Sequence, residues 1–348
     1  MVHRTTRLAG LAGLATAAAA LIGGAAATAQ AAPAAQSAPA PNASVLVDSI
    51  GMRYTGLAGA NDITVKTSGV RFVVTDIAPI TAGAGCATFV PGGKLFGVFC
   101  AAPKTPTGNF GKFFVQAGGG ADVVTNLSAA GMQADGGAGN DVLNGGEQSD
   151  TLTDSFGSDV LRGNGGSDNL LTNLSSDGLP DTLDGGAGDD HLDAGNGADT
   201  LRGGADNDVL RGGLGKDILD AGSAAGDTVS YFDAAHDGLR VVGSLDGVAN
   251  DGAQAAGTNV NEGDNIIGSP GVLVGGSGPN VLFGDDSGDR LIGQQKDDIL
   301  IGGKGSDIIQ GFGGNDTLAS NQLFGAPVND GAIDLLDGGT GIDSCRIP

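Results

Sequence analysis

The 348-residue chain has no tryptophan, two tyrosines and three cysteines. This argues against a conventional aromatic-rich globular core. Basic residues are scarce, 17 Lys and Arg against 40 acidic residues, for a formal net charge of −23. That balance argues against nucleic acid or an anionic membrane surface as partner. Glutamate is almost missing too: only Glu147 and Glu262 accompany 38 aspartates. A merely solubilising acidic surface would use both residues, whereas the short arm of Asp suits tight turns and metal loops. Histidine is confined to His3, His191 and His236. No H-E-x-x-H, no G-x-S-x-G and no phosphate loop ending in G-K-[ST] occurs, so zinc-protease, hydrolase and nucleotide chemistries lack their signatures.

What is abundant is glycine, 66 residues, and it is periodic. From Gly136 one nine-residue phrase recurs: GGAGNDVLN, GGEQSDTLT, DSFGSDVLR and GNGGSDNLL, then from Gly185 GGAGDDHLD, AGNGADTLR, GGADNDVLR and GGLGKDILD. The sixth place holds Asp141, Asp150, Asp159, Asp168, Asp190, Asp199, Asp208 and Asp217. The eighth holds Leu143, Leu152, Leu161, Leu170, Leu192, Leu201, Leu210 and Leu219. Glycines at places one, two and four force a turn. The Asp-x-Leu half alternates polar and apolar, as a short strand burying one side chain does. So short a strand needs its neighbours, and the repeats must stack around a shared core. Turn, strand, turn, strand makes a rung of two repeats, with rungs about 4.8 Å apart.

Stacking sets Asp141 over Asp159, Asp150 over Asp168, Asp190 over Asp208 and Asp199 over Asp217. Rows of unpaired carboxylates repel, and a hard cation that accepts many oxygens, calcium above all, removes the repulsion. About fifteen copies in register follow the pattern G-G-x-G-x-D-x-U-x, and the chain resembles the RTX, or haemolysin-type, calcium-binding repeat family. The resemblance implies a parallel β-roll with calcium between successive turns, held by the sixth-place aspartates and by turn carbonyls. Carried onto this sequence, the ligands are Asp122, Asp141, Asp150, Asp159, Asp168, Asp181, Asp190, Asp199, Asp208, Asp217, Asp289, Asp298, Asp307, Asp316 and Asp343. A second array repeats Leu273, Leu282, Leu291, Leu300, Ile309 and Leu318, then Leu336 and Cys345, with Pro327 out of pattern. Its acid place opens on Gly271 and Asn280, which weakens cation binding there, and Gln294, Gln295 and Lys296 replace turn glycines.

The expected fold is all-β: a parallel β-roll, or solenoid, of nonapeptides with an irregular β cap at the N-terminal side. Residues 1–31 read as a secretory signal peptide, with Arg4 and Arg7 before an apolar run and Ala29-Gln30-Ala31 as cleavage site. Residues 32–43 are a Pro/Ala linker and 44–116 the cap, holding seven of the twelve phenylalanines but few aspartates. The first array runs over 117–229, with an insertion at Thr172–Pro180. An irregular stretch, 230–262, follows, either an outward excursion or a few irregular rungs, and the second array covers 263–348. His191 reads as an outward strand residue, His236 as part of a surface loop, and Cys345 as a small buried side chain at the eighth place. In an exported chain Cys86 and Cys100 are a natural disulfide pair, a reactive pair of thiols being the alternative. No stretch beyond the leader is long and apolar enough to span a membrane.

The functional expectation is a secreted, extracellular, non-catalytic protein that folds on binding multiple calcium ions. An adhesin or matrix component offering a calcium-stiffened face to a cell-surface or matrix polysaccharide or protein is the alternative. A polysaccharide-modifying enzyme, or its non-catalytic module, ranks last, because each repeat aspartate already has a structural task.

Overall fold

Each Asp-x-Leu half-repeat opens a short strand, of three residues in many copies, because the triplet has one side chain to bury. Val142–Asn144, Thr151–Thr153, Asn169–Leu171, His191–Asp193 and Val209–Arg211 all bury their middle residue alone. The computed structural model that shows this describes residues 43–47, 51–56, 58–68, 71–76, 80–82, 86–89, 96–101, 112–172, 177–222, 224–233, 236–254, 262–321 and 332–347. The leader and all of the linker but its last residue lie outside them; Ala43 opens the strand Ala43–Val47. All regular elements among the described residues are strands.

Successive strands fall alternately into two sheets that face each other across the leucines. Pairing between the nonapeptide strands is parallel. Leu143 lies beside Leu161, Leu152 beside Leu170 and Leu183 beside Leu201, so one rung is two nonapeptides. The eighth-place leucines from Leu143 to Leu318 are 0–1% exposed and belong to one core cluster. The insertion lengthens a rung without breaking it: Leu161 pairs with Leu183 and Leu170 with Leu192.

One face is a continuous sheet of fourteen strands; the other is a sheet of eleven strands followed by one of six. The continuous face runs through the irregular stretch, since Thr228–Ser230 pairs directly with Val272–Val274. On the other face Ile218–Gly222 pairs with Asn265–Ile267, and a new sheet starts where Arg240–Ser244 pairs antiparallel with Gly252–Gln254 and parallel with Asn280–Phe283. Tyr231, Val241, Leu245 and Ala253 point into the shared core. The described residues within 230–262 therefore contribute irregular rungs.

At the N-terminal side Gly51–Thr55 and Asp62–Ser68 lie parallel to Lys112–Gly119 and Val123–Leu127, as rung strands do. Antiparallel strands Arg71–Asp76, Phe96–Ala101 and Cys86–Phe89 then extend that face and bring Cys86 opposite Cys100. At the other end the step lengthens and one expectation fails. A strict eighteen-residue step would set Leu318 beside Leu336; instead Ile309 pairs with Leu336 and Leu318 with Cys345, one nonapeptide being passed over. Cys345 is exposed rather than buried, because among the described residues no further strand stacks on it.

Candidate metal centre

The sixth-place aspartate enters each strand from the turn, and its main chain explains why Asp is needed there. Along one edge the backbone N–H of Asn61, Asp122, Asp141, Asp159, Asp181 and Asp199 each donates to Oδ1 of the next residue in the series, ending with Asp217, at 2.6–2.8 Å. Asp217 donates in turn to Asp264 at 2.8 Å. The opposite edge carries Asp150, Asp168, Asp190, Asp208 and Asp227 in the same way, at 2.7–2.9 Å. In the second array Asn280, Asp298, Asp316 and Asp343 form one series and Asp289, Asp307 and Asp334 the other. One carboxylate oxygen per aspartate thus caps the rung before it, a charge-assisted bond.

The second oxygen is the unusual one. Oδ2 of Asp122, Asp141, Asp168, Asp190, Asp199, Asp208, Asp217, Asp298 and Asp316 is buried with no hydrogen-bond partner. Fourteen of the fifteen expected ligands are buried: Asp122, Asp141, Asp150, Asp159, Asp168, Asp181, Asp190, Asp199, Asp208, Asp217, Asp289, Asp298, Asp307 and Asp316. Asp343, in the last described rung, is half-buried. The side chains fold back over their own turns, so that a Cβ added at Gly163, Gly185 or Gly203 would collide with Oδ2 of Asp168, Asp190 or Asp208. Glycine at the first place leaves room for that carboxylate.

Burying an unpaired carboxylate is costly, and the cost shows as raised pKa values. Burial, with smaller repulsion from neighbouring carboxylates, pushes Asp141, Asp159, Asp168 and Asp208 up to about 6 and Asp190 and Asp199 to about 7, against the lowering effect of the donated backbone N–H. Asp217, by burial and then by its closeness to Asp264, reaches about 8. Such groups are satisfied either by a proton or by a cation. Buried carboxylate oxygens beside turn carbonyls are the donor set of a hard divalent cation, and the residues present fit calcium on those grounds.

Two asparagines show where the turn oxygens converge. Asn280 occupies an acid place, and its Nδ2 donates to Gly276 O at 3.2 Å, Gly278 O at 2.9 Å, Gly293 O at 2.5 Å and Asp298 Oδ1 at 2.9 Å. Asn61 repeats the arrangement on Gly59 O at 2.7 Å, Ala117 O at 3.1 Å and Asp122 Oδ1 at 2.9 Å. In both, the amide nitrogen puts partial positive charge among carbonyls and a carboxylate. At Asn280 the sequence shows only a missing carboxylate; the structure shows a donor in its place.

Sequence reading missed three acids of the same kind. Asp227 and Asp264 continue the two series and are fully buried. Asp264 was legible as Asp-Asn-Ile, an Asp-x-apolar triplet, but it follows Asp217 by 47 residues instead of 18. Asp154 stands at a first place, where most copies have glycine. Its Oδ2 is buried and unpartnered, and burial pushes its pKa to about 9. Asp141, Asp154 and Asp159 each offer an oxygen within 4.8 Å of the others.

Neither the His191 ring nor the His236 ring is bonded to a sixth-place aspartate. His191 lies on a strand, bonded to Asn169 Oδ1 and Arg211 Nη1 at 3.1 Å each. His236 is not on the surface, as its sequence context suggests, but 0% exposed. Its Nδ1 bonds Asp233 at 2.8 Å and its Nε2 bonds Glu262 at 3.2 Å. Burial works against its charge, but the two carboxylates outweigh it and lift the imidazole to about 10.

No curated protein matches the chain. Residues 135–170, 180–201, 193–225, 271–295 and 292–322 match the family model described as RTX calcium-binding nonapeptide repeat (4 copies). Those segments hold most of the stacked aspartates described above, and their nonapeptides are RTX calcium-binding repeats.

Proposed function

We propose that the chain is an exported, non-catalytic protein whose β-roll forms by taking calcium into the turns between stacked aspartates. The observation that carries this reading is the set of buried Oδ2 atoms with no protein partner. The ligands are the fifteen sixth-place aspartates named from the sequence, joined by Asp227 and Asp264. Because the carboxylates of a turn are brought together only in the folded roll, calcium binding and folding share one free energy. Export is supported by the leader-like residues 1–31, since extracellular calcium sites work at roughly 10⁻⁴–10⁻³ M. The direct opposition of Cys86 and Cys100 supports a disulfide between them. A non-catalytic role is supported by the occupation of both ring nitrogens of His191 and His236 and of one oxygen on each stacked aspartate.

The test is a far-UV circular dichroism titration with calcium at pH 7.5, with magnesium as the control. A cooperative rise of β signal in calcium alone is expected. A chain already β-rich in chelator and indifferent to calcium would overturn the reading.

A further inference from the structure

The turn at Asp154 differs from its neighbours, and the difference is built from this chain's own residues. Elsewhere a first-place glycine leaves room for one folded-back carboxylate. Here the first place carries a carboxylate itself, and its side chain reaches back one rung. A Cβ added at Gly136 would collide with Asp154 Oδ2 and lie almost as close to Asp141 Oδ2. Both of those oxygens are buried and lack any hydrogen-bond partner. Asp159 completes the group, so that three carboxylates present oxygens within 4.8 Å of one another, all three residues being buried. Among the described residues no other His, Cys, Asp or Glu trio meets that distance.

Asp154 is held in this pose. Its Oδ1 accepts the Ser155 N–H at 2.8 Å, and its own N–H donates to Leu171 O at 2.9 Å. Phe156 O then accepts Gly139 N–H at 2.8 Å, tying the loop to the rung below. Asp141 and Asp159 are fixed through Oδ1 by the rung ladder, at 2.7 and 2.8 Å. What remains free is one oxygen on Asp154 and one on Asp141, aimed into a shared space next to Gly136.

From this geometry we infer that Asp141, Asp154 and Asp159 form a three-carboxylate cation site, which fills before the other turns and favours cations of charge three over charge two. The inference rests on the reading of the turns as calcium sites and adds a ranking among them. Affinity at oxygen sites rises with ligand charge and with rigidity, and this turn exceeds its neighbours in charge while matching them in rigidity. A third fixed negative charge also gains more from a trivalent ion than from a divalent one, because the attraction scales with the product of charges.

The experiment is calorimetric titration of the full chain and of two variants, D154N and D154G, with calcium and separately with lanthanum. D154N keeps the shape and removes the charge; D154G restores the residue found at most first places. D246N, at an exposed acid, controls for net charge. The full chain is expected to show one site per molecule filling ahead of the rest. Both Asp154 variants should lose it, with affinity there falling by about tenfold or more for calcium and further for lanthanum. The remaining sites and the D246N protein should be unchanged. Persistence of the early site in D154N and D154G, or an equal shift in D246N, would sink the inference while leaving the calcium roll intact. Absence of any calcium uptake by the full chain would overturn both.

Discussion

At the scale of the residue, each stacked aspartate has two oxygens with two jobs. Oδ1 terminates the preceding rung by accepting its N–H; on Asp141, Asp190, Asp199 and others Oδ2 is buried without a hydrogen-bond partner. The pH response follows from the raised pKa values. An unfolded aspartate titrates near about 3.9, whereas Asp141 and Asp159 titrate at about 6 and Asp217 at about 8 in the roll. The folded state therefore holds protons that the unfolded chain has released, and stability without cation falls as pH rises from about 4 to about 8. In chelator the β signal should be stronger at pH 5 than at pH 8. Calcium at pH 7.5 should restore it and release protons into a weakly buffered solution. Equal folding at both pH values in chelator would contradict the account.

Asn280 allows the complementary residue-scale experiment. Its amide nitrogen lies within hydrogen-bond distance of three carbonyls and Asp298 Oδ1, to which its two N–H groups donate without a cation. Asn280→Asp removes that donor and supplies a carboxylate. One additional calcium per chain is expected by equilibrium dialysis, and in chelator a loss of about 1–3 kcal/mol from the acceptors left unpaired. An unchanged calcium count would show that the asparagine turn is not a locked form of the aspartate turn.

At the scale of the element, the strands were legible because one physical rule fixes them. An Asp-x-Leu triplet every nine residues, such as Asp141–Leu143 or Asp190–Leu192, can bury its leucine only by stacking. Turn chemistry was less legible, since it depends on atoms brought together from rungs eighteen or more residues apart. Asn280 reads as a lost ligand until Gly293 O and Asp298 Oδ1 are seen around its amide. Asp154 reads as a degenerate glycine until its Oδ2 is found beside Asp141. Some turns also keep their shape against local preference. Gln294 replaces a turn glycine and sits at φ 90°, a left-handed conformation that costs a residue with a Cβ about 1–2 kcal/mol. Gln294→Gly should therefore stabilise the calcium-loaded protein by about 1 kcal/mol in denaturant melts. A neutral or destabilising result would mean that the glutamine side chain offsets its own strain.

At the scale of the whole molecule, the question is how two arrays share one roll. Only one face is continuous through the irregular rungs, by the pairing of Thr228–Ser230 with Val272–Val274. The other face changes sheets, and a buried polar chain bridges that change. Asp217 N–H donates to Asp264 Oδ1 at 2.8 Å, Tyr231 donates to Asp264 Oδ2 at 3.2 Å, and the Tyr231 ring meets His236 edge-on at 5.4 Å. His236 then holds Asp233 and Glu262, and Glu262 accepts the Ala253 N–H at 2.8 Å. The sequence hid this because its members lie between 217 and 264 without a common period. With its pKa raised to about 10, the imidazolium adds stability that is complete below about 6.5 and is lost as pH rises through 10. His236→Gln removes the charge and leaves two carboxylates facing a neutral amide in a buried site, a loss of about 3 kcal/mol confined to the junction. Stacked arrays unfold as one unit only while the interface between neighbours holds. Denaturant unfolding of the calcium-loaded variant should therefore split from one transition into two, with the second array leaving first because its acid places open on Gly271 and Asn280. A single transition at the wild-type midpoint would show that the fourteen-stranded face alone couples the two halves.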